Sequence, residues 1–457
     1  MNTRQQVDLL IALISDAAHK ALDEYENHGA ELPSLDSLAE HPLDRRINAG
    51  TVQLKKIIRN LEGACDQLCT TLASPLHTLT NRAQDAYWAA LRVTAKAGIA
   101  DTLVSNPSGL HTSEISRMIQ VEESKVTSIL RLLATRHCFR EQVKHFAVDQ
   151  NVFVNNRLSI QLVSTHYVSS WIDLLTKDPP LAALNLQHTL DDPEFAMSKD
   201  PQMSAYMFAV KDRARQKTHY GEGDGGYGRS VGIAVNNLWH VLFSLRKLPR
   251  LFVSVYPWKN YKTVCDVGSG IGSFSWNVLE SFPNIDVILH DLSETIALAK
   301  SVWMNDHLEA ITAQRVDFAP GNFFESVPVR GCDIYYVCTI ISYLQLRRPD
   351  AQALTILKNV RNAMSPNSRV LIHEYVMKPL YRKTIQSADD EVIYEPLLPN
   401  FGAGQVRLYN QDLTMMLLYN ARERTIEETN SLCLEAKLKL EKVWDLGETS
   451  VLEYVAT

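Results

Sequence analysis

Several features are scarce in this sequence, and each scarcity narrows the field. The seven cysteines are an odd number. Only Cys65 and Cys69 stand close together, one helical turn apart with no His or second pair at ligand spacing, which argues against a disulfide framework and a structural metal site. No apolar run reaches the roughly 18 residues of a membrane span. The N-terminal "MNTRQQVDLLIALISDAAHKAL" is broken by Asp8 and Asp16 and carries no cleavage pattern. A cytosolic chain with no membrane partner is expected. Basic charge is also short: 46 Lys and Arg against 52 Asp and Glu leave a net charge of −6, so no nucleic-acid partner is expected. The most Gly-rich run, "GEGDGGYGRSVG" from Gly221 to Gly232, lacks both the Lys-Ser/Thr ending and the preceding strand of a phosphate-binding loop. It reads as an interdomain hinge or a lid.

What is present is a globular composition, 46% hydrophobic and 21% charged over 457 residues, enough for two domains and a sizeable core. The first part has helical periodicity: Val7, Leu10, Ile11 and Ile14, then Leu54, Ile57, Ile58 and Leu61, each follow i, i+3, i+4, i+7. Between them "HGAELPSLDSLAEHPLD" is a loop, expected to be exposed. The stretch "LHTSEISRMIQVEESKVTSILRLLATRHCFRE" gives a short helix, a break and a longer helix, and "KHFAVDQNVFVNN" alternates like a small hairpin. Together they predict a winged helix. Lys125, Arg131 and Arg136 are read as a solvated helix face rather than as phosphate contacts, because no continuous basic stripe surrounds them. Amphipathic helices without an internal partner for every stripe point to a homodimer arm.

From Lys262 the texture changes to strands alternating with helices: "TVCDVGSG", "VILHDL", "CDIYYVCTII" and "RVLIHEYVM". This order predicts an α/β domain with a doubly wound, Rossmann-like sheet. Residues 1–185 form the expected helical and winged-helix dimerisation domain and 186–457 the ligand-binding domain, with its core at 258–457. The first strand runs into Asp266-Val-Gly268-Ser-Gly270-Ile-Gly272 and a helix, glycines that let a ligand approach the backbone. This spacing is not the G-x-G-x-x-G of a dinucleotide site. Asp291 ends the second strand, about 20 residues after Gly270, where a carboxylate accepts from ribose hydroxyls. The two features in register point to a nucleoside site.

The blocks "VCDVGSGIGSFSWNVLESFPNIDVILHDLSE", "PGNFFESVP", "CDIYYVCTIISYL", "VLIHEYVM" and "LYNARERTIEE" resemble, in the same order, those of plant- and fungal-type S-adenosylmethionine-dependent O-methyltransferases from about Gly109 onward. The resemblance implies a class I methyltransferase fold, a homodimer, a small-molecule substrate and S-adenosylmethionine or S-adenosylhomocysteine as cofactor. It assigns the cofactor to Asp266, Gly268, Gly270, Asp291, Leu292, Asn322, Phe323 and Cys338, with Asn322 standing where most relatives have Asp and Cys338 where some have Lys. It places Thr339, Met415 and Met416 in the substrate pocket. Relatives end the strand before "SYL" with His-Asp, the His being the general base, flanked by two glutamates. Here those positions hold Ser342 and Tyr343, while the glutamates persist as Glu374 and Glu423.

A serine hydroxyl keeps its proton at pH 7 unless a base adjoins it. Three readings of the substitution compete: methylation of an acidic phenol or enol that needs little base help, a base moved to His166, His373 or Glu374, and repurposing. The last is the preferred reading, and in it the cofactor is a bound cation that is not consumed. The pocket then catalyses dehydration and pericyclic, Diels–Alder-type cyclisation of a polyketide-derived alcohol or alkene, as in some fungal members. Hydrogen bonds from Ser342, Tyr343 or His166 would stabilise charge on oxygen. A DNA-binding regulator and a catalytically silent dimer partner are minor alternatives that do not account for the nucleoside site.

Overall fold

The computed structural model describes residues 1–45, 49–142, 150–214, 248–343, 349–381 and 395–457. The Gly-rich run Gly221–Gly232 lies outside the described residues.

The chain opens with helix Thr3–Asn27, started by a capping box in which Asn2 and Gln5 satisfy each other's backbone amides. It packs along helix Ala49–Leu72, placing Ala17 and Ala21 against Leu54, Ile57, Ile58 and Leu61. The expected stripe on the first helix is shifted: Leu10 is buried, but Ile11 is 52% exposed. The buried line runs through Leu10, Ala17 and Ala21 because small side chains let two helices approach closely. The loop between them is irregular, as expected, as far as His41, but it ends in a short helix, Pro42–Arg45, and is not exposed there. His41 and Leu43 are buried, with the His41 ring taking Leu43 N–H at 3.1 Å and lying edge-on to Tyr25.

The helices and the second arm of the wing form where the sequence pattern predicts, whereas residues 144–149, the expected first arm, lie outside the described residues and the strand seen there ends at Gln142. Strand β1 (Leu110–His111) leads into helices Thr112–Ile119 and Glu123–Ala134, followed by β2 (Arg140–Gln142) and β3 (Val152–Val154), in the antiparallel order β1-β3-β2. Ile115, Val126, Leu130, Leu133, Phe139 and Phe153 fill its core.

The C-terminal region is built on seven strands: β4 (Thr263–Val267), β5 (Asp286–Asp291), β6 (Val316–Pro320), β7 (Ile334–Cys338), β8 (Arg369–Glu374), then, past the short β9 (Val376–Met377) and β10 (Arg424–Thr425), β11 (Leu438–Asp445) and β12 (Ser450–Ala456). Their order is β11-β12-β8-β7-β4-β5-β6. Strands β4 to β8 are parallel, and β11 and β12 form an antiparallel edge hairpin, so the sheet is mixed rather than wholly parallel. Two apolar layers cover its faces, one around Phe252, Trp258, Phe274 and Trp303, the other around Ile356, Leu357, Val360 and Tyr454. Chain order reverses between β4 and β7. Sheets of this kind bind ligands at the carboxyl ends of the strands beside such a reversal. Among the described residues, no helix is long and apolar enough to cross a membrane.

The two regions interlock. Helix Ala49–Leu72 lies on residues Gly402–Gln405 and sends Val52 into the main core. A Cβ on Gly63 would overlap the carbonyl oxygen of Phe401, and one on Gly404 would overlap that of Arg59. Arg59, 3% exposed, donates to Asp445 at 3.3 Å and to the Gly447 carbonyl at 3.1 Å while its guanidinium covers the Phe401 ring. Gly404→Ala is therefore expected to force the helix off its seat and lower stability by about 1–3 kcal/mol, read as a lower urea midpoint at unchanged slope.

Candidate functional site

At the switch between β4 and β7, the glycine loop turns because Gly268 and Gly270 adopt φ of 71° and 56°, which L side chains resist. Gly268 is also a close approach: a Cβ there would overlap Ile340 Cδ1 and lie 3.5 Å from the Phe323 ring. The loop's amides are largely turned inward. Gly268 N–H and Ser269 N–H donate to the His290 carbonyl at 2.8 and 3.2 Å, and Gly272 N–H donates to Ser269. Gly270 N–H donates to Asp291 Oδ2 at 2.8 Å, and Leu292 N–H reaches Oδ1 at 2.7 Å. This arrangement offers no multi-amide cradle of the kind that grips a pyrophosphate. Each Asp291 oxygen retains acceptor capacity for a hydroxyl. Leu292 itself is half exposed at the lip of the site.

Asp266 sits beneath, buried, and accepts from Ser275 Oγ at 2.7 Å. Burial, opposed by the Ser275 hydrogen bond and reinforced by the Asp291 charge, pushes its carboxyl up to about 7. Burial also raises Asp291, against the pull of its backbone donors. Two carboxyls whose ionised forms are disfavoured suit a ligand that brings positive charge and hydroxyls. Phe323 closes the side of the cup. Its carbonyl and that of Phe324 are pinned by Asn359 Nδ2 at 2.9 and 3.0 Å. Asn322 shapes this loop, accepting from Phe324 N–H at 3.0 Å and donating to Glu325 at 3.2 Å.

The end of β7 is gripped from two sides. Thr339 takes φ 54°, an unfavourable value for a β-branched residue, with its N–H on the His373 carbonyl and its hydroxyl on the Cys338 carbonyl. The turn of helix Ile340–Tyr343 follows. Glu374 Oε1 accepts from Ile341 N–H at 3.0 Å, and Arg424 Nη1 donates to the Ile341 carbonyl at 2.7 Å while Nη2 holds Asp350 at 2.9 Å. Glu374 and Arg424 are both buried. Parallel pairing of Arg424 with Val376 in the β9–β10 ladder brings the two glutamate-bearing segments together. Glu423 is buried too, with its N–H on Asp412 at 2.7 Å and its Oε1 3.5 Å from Gln411 Nε2.

The groups named as replacement bases have other engagements. His373 is buried with Nδ1 2.6 Å from the Tyr336 hydroxyl and Nε2 2.8 Å from Thr449 Oγ1, and burial lowers it to about 4. It is a neutral core imidazole. His166 starts helix Tyr167–Leu175, its Nδ1 accepting from Val168 N–H at 3.5 Å. Cys338 is a neutral thiol, pushed up to about 12 by burial against the opposing effect of Tyr336. Of the two methionines, Met415 is fully enclosed and Met416 half-buried, so only Met416 has surface to offer a pocket. Ser342 and Tyr343 follow Ile341 in the same helical turn. Arg424 and Ser275 were not singled out from sequence. Arg424 lies inside the "NARERT" block, but its partner Ile341 is 83 residues away.

A family model for the O-methyltransferase domain matches residues 249–438. The 3-O-methyltransferase 2 of Phanerochaete chrysosporium is 36% identical over 454 residues, covering 97% of this chain and 96% of that protein. The chain belongs to the O-methyltransferase family. The O-methyltransferase gedA of Aspergillus terreus is 29% identical, covering 80% of this chain and 79% of its own length. Among solved structures, the complex of LepI with SAM has a TM-score of 0.62 at 18% identity, covering 87% of this chain and 93% of that one. Mitomycin 7-O-methyltransferase MmcR has a TM-score of 0.60 at 20% identity, covering 83% and 97%. At such identities the likeness is one of fold. The cofactor of the family is S-adenosylmethionine, and the cup around Asp266, Gly268, Gly270 and Asp291 fits it by charge and by hydroxyl-accepting capacity.

Two expectations follow for this O-methyltransferase-family chain. A cation beside Asp266 favours the ionised carboxyl, so binding releases protons while the unbound group is partly protonated. S-adenosylmethionine affinity should rise between about pH 6 and 8 and then level off, with proton release measured by calorimetry in buffers of different ionisation heat. Asp266→Asn should remove that dependence. For the turn at β7, Arg424→Ala should lower turnover about 100-fold through misplacement while leaving cofactor affinity intact, with partial recovery on adding guanidinium below denaturing concentrations.

Proposed function

We propose that this chain is an S-adenosylmethionine-dependent O-methyltransferase of fungal-type secondary metabolism, acting on an acidic phenolic or enolic hydroxyl of a small, polyketide-like molecule. The observation that carries this reading is likeness to a 3-O-methyltransferase along 97% of the chain. Ser342, read as standing where the resemblance puts the family's catalytic His, supports the restriction to acidic acceptors. An ordinary phenol, with a pKa near 10, is ionised in about one molecule in a thousand at pH 7, and a positioned general base contributes about 10²–10⁴ in rate. An acceptor that ionises by itself needs less of that help. The bound cofactor supplies an activated methyl group on a sulfonium. In this proposal the chain's own work is alignment. Glu374 and Arg424 set the turn, His166, Ser342 and Tyr343 hydrogen-bond the acceptor oxygen, and Thr339 and Met416 line its path, with Met415 and Glu423 backing them.

A second reading, cyclisation with the cofactor kept as a cation, is favoured by the same Ser342 and by a fold shared with a pericyclic reaction enzyme, TM-score 0.61 at 17% identity. It uses the same groups to polarise a carbonyl. In either reading we propose a homodimer, since Leu72, Leu76 and Leu79 are 66%, 78% and 67% exposed on neighbouring helices of the N-terminal region, an apolar surface of the kind that seeks a partner.

Methyl-deuterated cofactor and a series of phenols of graded acidity test the choice by mass spectrometry. The expected product carries the labelled methyl. Its kcat/KM should rise with pH toward the acceptor's own pKa, and Ser342→His should flatten that rise. An unlabelled product of unchanged mass, or one that has lost water, sinks methyl transfer and leaves cyclisation.

A further inference from the structure

A cleft of about 500 Å³ opens where helix Ala49–Leu72 meets residues 403–408 and the turn between β11 and β12. This is within the size range of small-molecule pockets, which favour domain junctions. Leu54, Ile58 and Leu408 give it an apolar floor, and Lys55, Glu62, Arg407 and Glu448 ring it with charge. Lys55 and Arg407 converge from two chain segments on one carboxylate, Glu448, at 3.6 and 2.8 Å. Behind them Arg59 closes the inner wall on Asp445 and Gly447, and Lys378 reaches the same Asp445 at 3.3 Å.

The charge at this junction runs against that of the whole chain. Of the charged residues lining the cleft, Lys55, Arg59 and Arg407 face Glu62 and Glu448, three basic groups to two acidic ones in a chain of net charge −6; Lys56 and Lys378 lie near Asp445 behind the wall. The field is felt locally: although burial acts to raise Asp445, Lys378, Arg59 and Lys56 hold its carboxyl well below the usual range. Burial raises Glu62, with Arg407 opposing and Glu448 adding to the rise. A concave site with low-dielectric walls concentrates such an excess on an incoming counter-charge.

We propose that this cleft binds a small organic anion with an apolar body, its anionic group displacing the Glu448 carboxylate from Lys55 and Arg407 and its body against Leu54, Ile58 and Leu408. The site is separate from the cofactor cup, which is built on β4, β5 and β7, and does not depend on which reaction the cup supports.

The probe is 8-anilinonaphthalene-1-sulfonate, an aromatic anion that brightens in apolar surroundings, titrated into the full chain saturated with S-adenosylhomocysteine. The expected result is saturable emission that weakens with added salt. Combining Lys55→Glu with Arg407→Glu should raise the probe's Kd about tenfold or more, with melting temperature and S-adenosylhomocysteine affinity retained. Lys358→Glu, which reverses a charge on a surface pair elsewhere, should leave the Kd unchanged. Should the double variant not fold, Leu54→Trp, which fills the floor, should abolish the saturable signal. Unsaturable emission, or an affinity indifferent to the cleft substitutions, overturns the proposal.

Discussion

One peptide unit bears much of the weight of this site. The amide of Ile341 is held by a buried carboxylate and its carbonyl by a buried guanidinium, so the turn after β7 is fixed from β8 on one side and from the β10 segment on the other. Hydrogen bonds to charged groups contribute about 1.5–3 kcal/mol each, and removing either side chain takes a charged partner from the buried peptide of Ile341. The turn is thus set by groups that cannot be removed singly without large effect. A rigid turn of this kind is compatible with different residues at its tip, which is why a hydroxyl at position 342 does not by itself imply a collapsed site.

The glutamates make contacts that their motifs do not specify. Read from sequence, Glu374 and Glu423 flank a base. In the structure, Glu374 is bound to main chain, and Glu423 lies beside Gln411 with its own amide on Asp412. Their described bonds run to main chain and to neighbouring side chains, while the cup is bordered by carboxyls that burial raises and by a loop whose amides are largely turned inward.

Much of this was legible in the sequence because it rests on short-range patterns. The alternation of strands and helices after Lys262, the glycine loop, Asp291 at the next strand's end and the two helices of the wing all follow from local spacing. The antiparallel hairpin of β11 and β12 was less so, since "LKLEKVWD" mixes charges into an edge strand and signals its partner weakly. The Ile341 grip was invisible, because Arg424 meets Ile341 only once the sheet has been assembled. The exposed Ile11 and the buried His41 were misjudged for a related reason: which side of a helix or loop is covered depends on what comes to lie against it.

The reciprocal contact between Gly63 and the Phe401 carbonyl, and between Gly404 and the Arg59 carbonyl, fixes more than proximity. Two glycines on opposite partners, each meeting the other's main chain, define a single axial setting. Sliding the helix by one turn, about 5.4 Å, would bring a side chain to the Phe401 carbonyl, where only hydrogen fits. Exchange of N-terminal segments among homologous enzymes would therefore have to preserve the spacing of this paired notch, whatever freedom the remaining helix surface enjoys.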